Sequence, residues 1–518
     1  MRRSCRLPVL SALALACVAT LAGCIVGPDY RGPQAAAPLA GGGAGFHRAP
    51  ADGVSNAPGV ADWWAALHDD QLNALIDEAV RNSPDIQIAQ ARLRQARSAL
   101  KLNQANGEPK GSASALALRT RSPDISGLLD AAGVNPAASN GAPADTTSHG
   151  RGPLTLYDIG FDATWEVDLF GGTRRAVEAA SAEAEASEAN LDDAHVSLAA
   201  EVAQVYVGLR DMQLRYALMR QSAQLQQKML ELSQQRRARG AASDADIDQL
   251  RSQLEGTQAT LIPIDAQIEQ AMDALAVLCG AEPGTLDARL KAGDQPPPLP
   301  QLPQTVAIGN PADVLRQRPD IRAAERGLAS SSAQIGAKTA SFFPKLTLIG
   351  DIGFAATDPG HLLRKDSGTW AIAPYLSWDF LDFGRKDATI RQARGAYDEA
   401  QARYRKVVLG ALQDAETSLS RYGHQRDNVL SLKKVQALTE HTVGYDEQRY
   451  QVGAASLIDR YASQRNALTA RQNTIAGEAE LVKDFIALQK SLGLGWQGGL
   501  PAEKISAQEP SQPTWRLR

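Results

Sequence analysis

The chain has 518 residues, a formal net charge of −4 and only 5% aromatic residues. This near-neutral balance gives no basic field for a nucleic acid, so none is expected as a partner. Beyond the N-terminal segment, no stretch reaches the ~18 consecutive apolar residues a membrane helix needs. Any crossing of a membrane by the mature chain must then be as a closed β-barrel.

The N-terminal segment carries three Arg within positions 1–6 and an apolar run from Leu7 to Ala22, and ends in Leu-Ala-Gly-Cys at 21–24. Such a segment is a secretory signal, not structure. Small residues before a Cys after an apolar run predict lipoprotein processing before Cys24 and acylation of its thiol. The other reading is an ordinary signal peptide whose cleavage site contains a Cys. Ile25 follows where an Asp would favour inner-membrane retention, which points to the outer membrane. Cys5 and Cys17 leave with the signal, so Cys279 stands alone and no intrachain disulfide is expected. Its reading is a small buried residue at a helix end.

Residues 24–62 are rich in Ala, Gly and Pro and are expected to run extended. From there the chain is written twice. Residues 84–110 match 319–345 at a shift of 235, with eight identities in 27 positions. Trp165 and Phe170-Gly171 match Trp378 and Phe383-Gly384 at a shift of 213. The change of shift leaves copy one with 22 extra residues, which fall in a loop-type stretch between Lys110 and Trp165. Repeat 1 is placed at 63–282 and repeat 2 at 311–494. The connector over 283–310 is Pro-rich, and residues 495–518 form a tail.

Each copy has the same order. A short helix precedes a Pro-Asp-Ile step, where Pro opens a new helix. Two strands come next, at about 111–120 and 154–170 in copy one and about 345–356 and 370–383 in copy two. Odd positions of 155–169 are mostly apolar, while even positions from Asp158 read Asp, Gly, Asp, Thr, Glu, Asp. One apolar face with aromatics against a polar face suits a membrane strand, lipid outside and water inside. A half-buried strand of a soluble sandwich is the alternative. Four strands cannot close a barrel wide enough to hold water, so several chains must share one.

The helical hairpins are expected over about 173–280 and 385–492. Thr173–Arg239 holds no Pro and one Gly, and 67 helical residues span about 100 Å. A helix of that length needs a partner along it, which the returning helix supplies. Pro263 is expected to kink or interrupt the first return. At the turn, QRRARGAASDAD (235–246) and QRYQVGAASLID (448–459) share seven of twelve positions. Gly240 and Gly453 suit the left-handed residue that ends a helix. Ser243 and Ser456 suit the N-cap of the next one. Ala241, Ala242, Ala454 and Ala455 keep the corners small.

Asp246 and Asp459 invite reading as a ring of carboxylates, yet Ser-x-x-Asp is first a capping box. Asp244 and Asp248 make the corner of copy one the more acidic. Met212, Met219 and Met229 read as core packing rather than a soft-metal path. The His are scattered, and no phosphate loop or nucleophile motif occurs. No enzyme activity, cofactor or metal is expected.

CIVGPDYRGP, DWWAALHDDQLNALIDEAVRNSPDI, WEVDLFGGTRR, LRQRPDIRAAERGLASSSAQIGAKTASFFPKLTLIG and WDFLDFGR together resemble the TolC-like outer-membrane efflux factors, in their NodT/OprM-type lipoprotein branch. The likeness runs from Cys24 to about Leu494. It implies a mostly α chain with a small transmembrane β part. Three copies would form a 12-stranded barrel continued by a 12-helix periplasmic tunnel. It implies an exit duct of a tripartite efflux pump, partnered by a periplasmic adaptor and an inner-membrane pump of RND or MFS type. The two corners would be the periplasmic tips that meet the adaptor and carry the aperture. Tyr450 and Arg465 fall on two of the family's closing positions, but the Asp position is Ala462, so either Arg465 pairs with another acid or the closed state rests on packing. The same duct could instead serve type I protein secretion. A lipid-anchored periplasmic coiled-coil scaffold with no pore is the remaining alternative. A duct open to many compounds has no pocket from which to read its cargo.

Overall fold

The structure, a computed structural model, describes residues 25–33, 45–120, 154–293, 295–312 and 317–496. Cys24, the signal segment, the loop 121–150 and the tail beyond 496 lie outside the described residues. The chain divides into two compact units, one of 1–31, 97–181 and 329–398, the other of the remainder.

The first unit is built on a four-stranded antiparallel sheet. Strands β2 (Lys110–Thr120), β3 (Leu154–Val167), β5 (Lys345–Ala356) and β6 (Gly368–Ser377) lie in the order β2-β3-β5-β6. Register puts Phe161 opposite Ile352 and Ile352 opposite Trp370, so the apolar positions of three strands share one face. On β2 that face is lined by small residues, Ala113 and Ala115 opposite Phe161 and Ile159. β6 ends at Ser377, earlier than the alternation through Phe380 led one to expect. Its partner supplies the reason: Ser377 pairs with Lys345, the residue after Pro344, and Pro has no N–H to continue the ladder. β3 likewise stops at Val167, and the chain turns through Gly171 at φ 80° into a helix.

The duplication reaches down to single hydrogen bonds. The Trp165 indole donates to the Gly107 carbonyl at 2.9 Å, and the Trp378 indole to the Phe342 carbonyl at 3.0 Å. Donors and acceptors are equivalent positions under the two shifts.

The rest of the chain is mainly helical, and the main core lies in the second unit, although the helices Pro84–Ala105, Gly172–Ala238, Pro319–Ala340 and Arg385–Gln451 begin or end in the first. Helix α1 (Asp70–Asn82) is capped by Asp69, which accepts from the Gln71 and Leu72 amides. Leu72, Leu75 and Ile76 on its inner face are fully buried. α2 (Pro84–Ala105) follows after Ser83. α3 (Gly172–Ala238) and α4 (Asp244–Leu278) form the first hairpin, of 67 and 35 residues. A short turn α5 (Asp287–Leu290) and α6 (Pro319–Ala340) lead to the second hairpin, α7 (Arg385–Gln451) and α8 (Leu457–Ser491), again 67 and 35 residues. α4 runs unbroken through Pro263, against the expected interruption. Pro263 is exposed, so the ring and the freed carbonyl face outward and the helix loses little more than one bond.

The N-terminal segment, read as extended, and the Pro-rich connector pair with each other. β1 (Val54–Ser55) and β4 (Val306–Ala307) form a small parallel sheet. The connector is fixed to α3 through buried Arg210, which bonds Gln71 and Gln213, while Gln213 donates to the Leu290 carbonyl at 2.9 Å. Tyr206 donates to Asp69 at 2.9 Å, and Trp63 meets Phe485 of α8 edge-on at 6.1 Å. A pair of long helices thus gains a packed collar where the polar connectors would otherwise be free.

Candidate functional site

The two corners are built alike. α3 ends in a Schellman turn: the Ala241 amide donates to the Arg236 carbonyl at 2.8 Å and the Gly240 amide to Arg237 at 2.9 Å. α7 repeats it, with Ala454 to Arg449 at 2.7 Å and Gly453 to Tyr450 at 3.0 Å. Gly240 and Gly453 sit at φ 76° and 75°, and a Cβ on either would meet nothing. Backbone conformation alone demands glycine there.

The next helices start on full capping boxes. Ser243 accepts from the Asp246 amide at 3.2 Å, while the Asp246 carboxylate accepts from the Ser243 amide at 3.0 Å. Ser456 and Asp459 repeat both bonds at 3.2 and 3.0 Å. Bonds from the capped Ser amide and hydroxyl hold both carboxyls below the usual carboxylate range. Their oxygens are committed to the helix start. Gly240, Ala241 and Ser243 are exposed with Ala242 half-buried, and copy two has the same pattern over Gly453–Ser456.

Charge distinguishes the corners. In copy one Arg237 grips Asp244 with two bonds, at 2.8 and 2.9 Å, which also depress the Asp244 carboxyl. The equivalent pair in copy two is Tyr450 and Leu457, which cannot form it. There Arg460 pairs with Glu447 and lies over the Tyr450 ring at 5.4 Å. Asp248 pairs with Arg251 at 3.4 Å. Arg465 donates to Gln253 of the first hairpin at 3.0 Å and to Asn466 at 3.5 Å. Gln253 and Asn466 are themselves equivalent under the 213 shift. Ala462 offers no polar group, so Arg465 ties the hairpins through an amide instead of a carboxylate.

Arg460, Glu447 and Gln253 were not singled out in the sequence. Arg460 and Glu447 are 13 residues apart across a corner, and only the geometry of the turn brings them together. Arg237 and Asp244 were legible in principle, because a Schellman turn followed by an N-cap returns the chain to the preceding turn of helix.

The sheet has two unlike faces. Trp370 and Ile372 are each 76% exposed and Phe161 69%, on a face left uncovered among the described residues. The opposite face carries Asp158, Asp162, Glu166 and Asp351, with Ser114 donating to Asp162 at 2.9 Å and Lys345 paired to Glu166 at 3.1 Å. β2 and β6 are paired on one side only. Met229 is buried, and Met212 and Met219 pack against the core. Cys279 is buried, and burial pushes its thiol up to about 11. No group of metal-ligating side chains occurs among the described residues.

Comparison with known proteins adds to this geometry. The chain is 28% identical over 496 residues to outer membrane protein OprJ of Pseudomonas aeruginosa, covering 95% of this chain and 98% of that one. Nodulation protein T of Rhizobium leguminosarum is 27% identical, over 92% and 95% of the two chains. Among solved structures, the outer-membrane channel OprN superposes with a TM-score of 0.79 at 30% identity, covering 92% of this chain and all of that one. The family described as outer membrane efflux protein matches residues 75–281 and 310–494, both halves of the duplication. By that match over most of its length, the chain belongs to the outer membrane efflux protein family.

Proposed function

We propose that this protein is the outer-membrane exit duct of a tripartite efflux pump, a homotrimer anchored by acylation of Cys24. It conducts small molecules passively from periplasm to exterior. One observation carries the reading: a four-stranded sheet with an exposed aromatic face, an acidic opposite face and two free edges. Such a sheet is unstable alone, since open apolar edges invite pairing with another chain. Three copies joined edge to edge would supply twelve strands. They would turn the apolar face to lipid and the acids to a water-filled lumen. The similarity to channels, and relatives named as efflux pump outer membrane proteins such as TtgC of Pseudomonas putida, supports the same reading.

The exposed Gly-Ala-Ala-Ser corners are the docking tips for a periplasmic adaptor, and the energy for export comes from an inner-membrane pump of RND or MFS type. Tyr450 and Arg465, with Arg460, Glu447 and Gln253, hold the second hairpin in a closed aperture. Asp244, Asp246, Asp248 and Asp459 surround it, as ion-pair and capping groups. The purified protein in a planar bilayer is expected to give discrete channel steps, and larger ones after Arg465→Ala and Arg460→Ala are combined. Cross-linked trimers that give no conductance in either form would rule out a duct and favour a scaffold.

A further inference from the structure

Residues 25–29, Ile-Val-Gly-Pro-Asp, lie against the junction where β3 turns into α3. Val26 donates its amide to the Phe170 carbonyl at 3.2 Å. Gly27 has φ +97°, and a Cβ on it would fall 2.3 Å from the Gly336 Cα. A Cβ on Gly171 would come within 3.1 Å of the Ile25 Cα. Gly27 therefore needs glycine because another backbone passes directly over it, while Gly171, at φ 80°, needs it first for the turn.

Arg175, in the first turn of α3, closes the arrangement. It is only 4% exposed. Its Nε donates to the Val26 carbonyl at 3.3 Å, and its Nη2 to the Gly27 carbonyl at 3.5 Å and to Asp29 Oδ1 at 2.6 Å. Nη1 binds Glu178 at 2.7 Å. A guanidinium offers donors in a rigid fork, and here three of its bonds reach one five-residue segment. Its stem lies over Gly336, where a Cβ would meet Cγ and Cδ at 2.9 Å. The Arg175 stem can lie there only because position 336 is glycine.

The duplication supplies a second, independent observation. Under the shift of 213, the copy-two counterpart of Arg175 is Ala388, and under the shift of 235, the copy-one counterpart of Gly336 is Lys101. The residues that merely turn strand into helix are kept in both copies: Trp165 and Trp378, Phe170 and Phe383, Gly171 and Gly384. The copies diverge at the two positions that seat the N-terminal segment. A chain has one N-terminus and needs one seat.

The junction also carries an aromatic band. Phe170 stacks on Phe343 at 4.4 Å, and Trp378 and Phe380 are exposed beside it with centroids 6.0 Å apart. Aromatic girdles of this kind sit at the lipid–water interface of membrane barrels. Cys24 is one peptide bond beyond Ile25, about 3.8 Å between Cα atoms.

We propose that Arg175 and Gly336 form a clamp for the processed N-terminus, seating residues 25–29 so that an acyl group on Cys24 enters lipid at the level of this aromatic band. The acyl part rests on the lipid-anchored reading above. The clamp rests on the contacts of 25–29 alone.

Hydrogen exchange followed by mass spectrometry on the full-length protein in detergent tests it. Gly27→Val alters the segment and leaves the seat intact. It should speed exchange over 25–31 by about tenfold or more while β3 and β5 keep their protection. Arg175→Met should do the same, and Asp29→Asn should have a smaller effect. Unchanged exchange over 25–31 in Gly27→Val overturns the clamp, whether or not Arg175→Met folds. Palmitate labelling of the same samples separates the two readings: loss of clamping leaves labelling intact, and an unlabelled native protein removes the acyl part only. With an ordinary cleavable signal peptide in place of residues 1–23, a fluorophore on Ile25→Cys in a Cys24→Ser background should be quenched by lipids brominated near the headgroup. Absence of quenching would overturn the placement at the aromatic band.

Discussion

Gly453 shows how much a single residue decides at the corner. Nothing lies within reach of a side chain there, so a substitution meets no steric block. The cost of Gly453→Val is purely conformational: a β-branched residue at φ 75° is strained by roughly 1–2 kcal/mol. That is too little to unfold a 67-residue helix and its partner, but enough to reshape an exposed tip. Gly453→Val is therefore expected to leave trimers in the membrane and raise drug susceptibility of cells that depend on the pump. Normal efflux in this variant would mean that the corner does not dock the adaptor. Cys24→Ser should abolish palmitate labelling, and any label that persists identifies another acylated residue. Asp459 teaches the opposite lesson about chemistry. It is the carboxylate most easily imagined as a gate, yet its oxygens serve the Ser456 amide and hydroxyl.

At the scale of elements, the helices are held by burial that also strains a few of their polar groups. Asp484 on α8 is half-buried, and burial first, then the neighbouring Glu480 charge, pushes its carboxyl up to about 6. Asp192 on α3 is pushed to about 6 by burial, which outweighs Arg322 at 3.4 Å. An acid whose folded pKa exceeds its unfolded value of about 3.9 binds its proton more tightly when folded. Its contribution to stability is full below pH 3.9 and is lost as pH rises through about 6. Asp484→Asn should therefore raise the thermal midpoint at pH 8 and leave it nearly unchanged at pH 4. The gain is about 1 kcal/mol once solvent screening of a half-exposed group is allowed for. Equal shifts at both pH values would show that the effect is packing and not ionisation. On α4, Pro263 shows that an element can absorb a local fault when its exposed side faces away from the partner.

The whole molecule is where a single chain is insufficient. An aromatic face as bare as Trp370, Ile372 and Phe161 has no place in water, and four strands leave two edges to pair. On the proposed reading both faults are resolved by the same act, closure with two further copies in lipid. On that reading the hairpins would lie in the periplasm and the loop between β2 and β3 would face the exterior. An epitope inserted within 121–150 should be tolerated and should label intact cells. Labelling only after permeabilisation would reverse the orientation.

What the sequence determined by itself is whatever depends on near neighbours or on repetition. The Schellman turns at Gly240 and Gly453, the capping boxes at Ser243 and Ser456, the strand alternation and the duplicated order all follow from spacings of a few residues or from one fixed shift. The long helices were legible for the same reason, as runs without Pro. Tertiary structure alone decided the contacts made across long stretches of chain. The parallel pairing of Val54–Ser55 with Val306–Ala307 links segments that look like coil because their partners are some 250 residues away. Arg465 reaches Gln253, Arg460 reaches Glu447, and Arg175 grips residues 26–29 for a like reason. A periodic pattern records which face of an element is buried. It does not record which distant carbonyl or carboxylate a buried guanidinium will find, because that is fixed only when the elements pack.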